Sequence, residues 1–180
     1  KLEAADFVLP PDNGGRGESW KGYIESDGIE RHQRPSLTWN NMCRNMNERE
    51  EEYARKIFEL ARQEGIALWL IGMPNPDYAH DHMYYNTLWS IAAEYGIQGV
   101  NYNDPSLRFG LRYSSDFADW QHLNVKGSVT FSRKLGADLR TGLSIPDRRG
   151  DARYASYDAC AQIWFEKYPF FEASGVEGNE

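Results

Sequence analysis

Apolar side chains recur at helical spacing first at Tyr53, Ile57, Leu60 and Ala61, directly after the acidic cluster Glu48, Glu50, Glu51 and Glu52. This pattern predicts an amphipathic helix that begins near Glu48, capped by Asn47 with Glu50 in the first turn. The acids suit the positive end of the helix dipole, and Gly65 marks the end. The period then vanishes. Ile66–Met73 is a continuous apolar run without alternation, as expected of a strand buried on both faces. Pro74-Asn75-Pro76 stops it. Leu88, Ile91, Ala92 and Tyr95 restore helical spacing up to Gly96, and Ile97–Asn103 reads as a second strand. Strand, helix and strand in succession make a parallel βαβ unit with a right-handed crossover. Asn124 caps a closing helix through Leu139, with Val125, Val129, Phe131 and Leu135 as its apolar positions. Within it Gly127 and Gly136 each cost about 1 kcal/mol relative to Ala, a cost that close packing would offset.

The flanks differ. Residues 1–46 are irregular and rich in Gly, Pro, Asn and charge, with one strand-like run at Phe7–Leu9. Residues 47–140 hold the regular α/β core. Residues 141–180 form a tail, polar at first and then aromatic, in which 152–167 reads as a short helix packed on the domain or on a partner. The expected fold class is α/β, a three-layer α/β/α arrangement around a parallel sheet.

A chain of 180 residues with 41% hydrophobic and 14% aromatic content can bury one core, which excludes disorder. The net charge of −7 opposes general affinity for nucleic acid, whose binding needs clustered Lys and Arg. It also disfavours anionic membranes, and Ile66–Met73 is too short for membrane insertion. Cys43 and Cys160 leave the redox compartment open. His80-Asp81-His82 offers two imidazoles without a third ligand, so no metal is expected, and Asp81 reads as a helix cap. His32, between Arg31 and Arg34, reads as solvated.

The candidate chemistry lies in Asp119-Trp120-Gln121-His122-Leu123-Asn124. A carboxylate three residues before a histidine, in one tight turn, can accept from Nδ1. That fixes the tautomer, leaves Nε2 as a base and stabilises the imidazolium formed during proton transfer. Asp116, in the same loop, ranks behind Asp119. Trp120 could wall a pocket or join the core, and Tyr84 and Tyr85 carry the same ambiguity. In open parallel sheets, ligands sit beyond the carboxyl ends of the strands. Asn75 and the Asp119–His122 loop both follow strands, and so belong to that end.

The block Asp-x-x-His-Leu-Asn-x-x-Gly before the last long helix resembles the final block of the SGNH (GDSL-like) hydrolases. The likeness extends upstream through the strand Ile66–Met73 to the helix near Glu48, and downstream to Asp147-Arg148-Arg149-Gly150-Asp151-Ala152-Arg153-Tyr154. It covers about half of the chain. It implies that His122 and Asp119 are two members of a Ser-His-Asp triad, and that Asn75, in the loose echo Gly72-Met73-Pro74-Asn75, donates to the oxyanion. No strand running into Gly-Asp-Ser is visible. Gly17-Glu18-Ser19-Trp20 is a superficial match, but it follows a glycine-rich stretch, and Ser19 reads as a loop serine. The resemblance therefore implies the C-terminal portion of an esterase or O-acyltransferase whose serine strand lies upstream, inactive in isolation. Its substrates would be acyl esters of carbohydrate, acetyl groups on a cell-surface glycan foremost, with no cofactor and a cell-envelope or secreted setting. The rival is a non-catalytic binding module that keeps the fold. The aromatic tail would then suit a homo-oligomer contact or a segment packed upstream.

Overall fold

The computed structural model describes residues 25–35, 42–143 and 145–171. Phe7–Leu9 and Ser19 lie outside the described residues. Two compact units are present, 26–145 and a second made of 1–25 with 146–180.

In the first unit, α1 (Glu48–Gln63) starts where Asn47 accepts the backbone N–H of Arg49 through its side chain at 3.0 Å. Its last turn closes in a Schellman arrangement. Ile66 N–H reaches the Ala61 carbonyl at 2.8 Å, and Gly65 takes the left-handed φ of 64° that this turn requires. The helix α2 (Tyr78–Glu94) ends the same way, with Gly96 at φ 68° and Ile97 N–H on the Ala92 carbonyl at 3.0 Å. Two identical chain reversals thus feed two strands, β1 (Trp69–Gly72) and β2 (Gln98–Asn101), which pair in parallel with Trp69 opposite Gln98 and Gly72 opposite Asn101. The βαβ unit expected from the pattern is present.

Its core is smaller than the pattern suggested. Phe58, Ile91 and Ala92 are buried, with Ala54, Leu68, Leu70, Leu88 and Tyr95 packed around them. On α1 the buried face is therefore Ala54, Phe58 and Ala61. Tyr53, Ile57 and Leu60 of the predicted stripe are more than half exposed. Tyr53 instead carries Arg49 and Lys56 over its ring. The run Ile66–Met73 is not buried on both faces throughout: Ile66 and Met73 are exposed, and only Gly72 of β1 is fully buried. The reason is length, since the paired strand spans Trp69–Gly72 and its flanks lie outside the ladder. Leu70 meets the α1–α2 cluster, whereas the Trp69 ring lies against Gly142 of α3 (Val125–Leu143). At Gly99 a Cβ would stand 1.8 Å from the Leu70 carbonyl oxygen, so the strands can meet only with glycine there.

Gly127 and Gly136 of α3 part company. A Cβ on Gly127 would fall 2.0 Å from the Asp116 carbonyl oxygen, whereas nothing lies within 4 Å of one on Gly136. Close packing explains Gly127 but not Gly136. Gly136→Ala should raise stability by about 1 kcal/mol, through helix propensity alone. A denaturation midpoint that stays put or falls would contradict this.

The other unit contains a 3-10 turn (Ala152–Tyr154), α4 (Ala155–Lys167) and a second 3-10 turn (Pro169–Phe171). Trp164 gathers Phe165, Tyr168 and Phe171, and Lys167 and Tyr168 both bond the Glu25 carboxylate. Phe170 is 87% exposed, so the aromatic content of the tail is only partly used inside the unit. Cys43 and Cys160 are thiols, not a disulfide. Among the described residues, no helix is long and apolar enough to cross a membrane.

Candidate active site

The segment after β2 builds the site. Tyr102, almost wholly buried, anchors it by donating its hydroxyl to Asp138 of α3 at 2.6 Å. Asn103 is buried, accepts the Asn75 N–H at 2.8 Å and donates to the Met73 carbonyl at 2.6 Å. The ends of the two strands are thereby tied together by one amide. Asn101 adds a bond to the Tyr78 hydroxyl. Asn-x-Asn at a strand terminus was the sequence signal for this network, because amides there can serve both strand ends at once.

Further along, Asp116 is completely buried. Its carboxylate accepts the Arg112 N–H and the Ser115 hydroxyl, each at 2.8 Å, and pairs with Lys126 at 3.0 Å. It fastens the loop to α3 and is not presented to a substrate. Asn124 caps α3 as expected, its Oδ1 accepting the Gly127 N–H at 3.0 Å. Its Nδ2 donates to the carbonyls of Ser115 and Gly28, which draws the segment 26–34 onto the loop. Glu30 N–H to Phe117 and His32 N–H to Tyr113 continue that lacing.

Between Phe117 and Leu123, which form an antiparallel bridge, the chain makes a tight turn closed by Ala118 N–H on the His122 carbonyl at 2.8 Å. Asp119 fills it. Its Oδ1 accepts the N–H groups of Gln121 and His122 at 2.8 and 2.7 Å, while Oδ2 meets His122 Nδ1 at 2.9 Å. The backbone N–H of Gln121 first, then the His122 ring and the His122 N–H, hold the Asp119 carboxyl down at about 2. The pair is therefore an ionised carboxylate on Nδ1–H, which in the neutral ring leaves Nε2 as the acceptor. The His122 side chain is 73% exposed, and among the described residues none hydrogen-bonds its Nε2.

His32 is not solvated. Its side chain is 14% exposed, lies edge-on to Phe117 and reaches the Asp119 carbonyl with Nε2 at 3.1 Å. Local sequence carried no hint of this contact, which spans most of the domain. Trp120 is 53% exposed and so belongs to the surface beside the pair, not to the core. Asn75 uses its Oδ1 to accept the Asp77 N–H at 2.8 Å, which starts α2. No hydrogen bond links Asn75 to Asp119 or His122 among the described residues. Asp81 is not a cap: α2 begins three residues earlier, with Asp77 in the cap position. The His82 ring bonds the Ala79 carbonyl within the same helix, and no group of three or more metal-ligating side chains occurs among the described residues.

The folded turn binds the carboxylate form of Asp119, and this sets the direction of its pH response. Its contribution is complete above the ordinary carboxylate range near pH ~4 and is lost as pH falls through about 2. Amide shifts of Gln121 and His122 followed by NMR should report that low midpoint. A midpoint near 4 would contradict the turn.

No family model, curated protein or solved structure matches the chain.

Proposed function

We propose that the protein is an SGNH-like serine esterase or O-acyltransferase acting on acyl esters of carbohydrate, acetyl esters foremost, built on a three-layer α/β/α domain. The observation that carries this reading is the Asp119 carboxylate on His122 Nδ1 at 2.9 Å, with Nε2 facing outward. Helix contacts on opposite faces of β1, through Leu70 and Trp69, support the layered fold. In the reaction His122 Nε2 takes the proton of a serine hydroxyl as its oxygen attacks the ester carbonyl. It then returns that proton to the leaving alcohol oxygen, and Asp119 stabilises the imidazolium between the two transfers. The serine comes from outside the described residues. Asn75 is the candidate side-chain donor to the oxyanion, by resemblance alone.

A second reading is a non-catalytic module. Asp119 satisfies two backbone N–H groups as well as the ring, so the turn has a structural use for it without any catalysis. Acetyl-ester hydrolysis by the longest native form of the protein separates the two. The hydrolase reading expects turnover that His122→Ala removes. Turnover that survives the substitution would sink the assignment.

A further inference from the structure

A cavity of about 220 Å³ lies beside the segment that follows β2, lined by Arg34, Arg108 and Arg112 together with Tyr102, Phe109 and Tyr113. None of the residues lining it is acidic, in a chain whose net charge is −7. Among the described residues, the side chains of Arg108 and Arg112 have no hydrogen-bond or ion-pair partner. Arg34 is fixed in place: Nη2 donates to the carbonyls of Asp104 and Leu107 at 2.8 and 3.1 Å, and the guanidinium lies 5.9 Å from the Tyr113 ring centre. Among the described residues, its buried Nε has no acceptor. Three arginine residues and no acid around one space make its potential positive. A bound anion would match that potential.

We propose that this cavity binds a small carboxylate carrying an apolar body. Arginine forks match the two oxygens of a carboxylate, and the walls choose what is attached to it. Tyr102 and Tyr113 are buried, Phe109 lies edge-on to Tyr102 at 5.7 Å, and the Tyr113 ring packs at a tilt against Phe117 at 5.0 Å. These rings are held by packing, so the apolar side of the cavity is preformed. Its volume equals that of about seven waters in the liquid, which suits a ligand the size of a short or aromatic acid and is too small for a sugar chain. Neither Asp119 nor His122 lines the cavity, so the inference stands whether or not the hydrolase reading does.

The test is calorimetric titration of the full chain with benzoate, inorganic phosphate and the neutral isostere benzamide. Benzoate should bind, with phosphate and benzamide at least about tenfold weaker. Arg108→Gln and Arg112→Gln should each weaken benzoate by about tenfold, with helix content unchanged by circular dichroism. In the unmodified chain, benzoate should also shift the Gly110 amide resonance, a readout that needs no variant. No binding of benzoate at millimolar concentration would overturn the proposal. Tighter binding of phosphate, or equal binding of benzamide, would overturn the apolar carboxylate as its ligand. Unchanged affinity in both arginine variants would overturn the site.

Discussion

Gly127→Ala is expected to lower the stability of the 26–145 unit by about 3 kcal/mol. Helix propensity alone has the opposite sign, favouring Ala by about 1 kcal/mol. The clash decides. A Cβ would sit 2.0 Å from the Asp116 carbonyl oxygen and 3.1 Å from its Cβ, in a place where neither neighbour is a flexible chain end. The Asp116 carbonyl accepts the Asn124 N–H at 3.1 Å, and its carboxylate holds Arg112 and Lys126. Moving α3 away would therefore break the cap, the buried carboxylate and the base of the Asp119–His122 turn together. Chemical denaturation measures the loss, with Gly136→Ala as a matched control on the same helix. A midpoint equal to that of the unmodified protein would mean that α3 does not lie against Asp116.

Asp119→Asn should leave the turn standing and still cost about 10⁴ in kcat. The amide oxygen of asparagine can accept the N–H groups of Gln121 and His122 as Oδ1 does now. Its NH₂, however, would face His122 Nδ1 and turn that nitrogen into the acceptor. The proton then moves to Nε2, where a base is needed, and the ring presents the wrong tautomer. The signature is a kcat loss without unfolding, checked by ester hydrolysis alongside circular dichroism. Retention of near-full rate in folded Asp119→Asn would separate the pair from catalysis.

What was legible in the sequence was whatever chemistry acts between near neighbours in the chain. Asn47 and Asn124 serve as caps, and Gly65 and Gly96 as left-handed stops, because each acts within a turn of its own position. Asp119 reaches His122 for the same reason. What escaped depended on contacts far apart in sequence. His32 bonds Asp119 across 87 positions, and Asp116 is buried because α3 lies over it. Periodicity marked Tyr53, Ile57 and Leu60 as a core face, yet Phe58 occupies the space above Ile91 and Ala92, which turns that stripe outward. The arginines around the cavity were equally invisible, since Arg34 meets the segment that carries Arg108 and Arg112 only in the fold.

The most direct test is fluorophosphonate labelling of the longest native form, with and without His122→Ala, read by intact mass and peptide mapping. One adduct on a serine is expected in the unmodified protein and none in the variant, because only a hydroxyl deprotonated by Nε2 attacks the reagent at a useful rate. An equal adduct in both proteins, or none in either, would contradict a histidine-activated serine at this site.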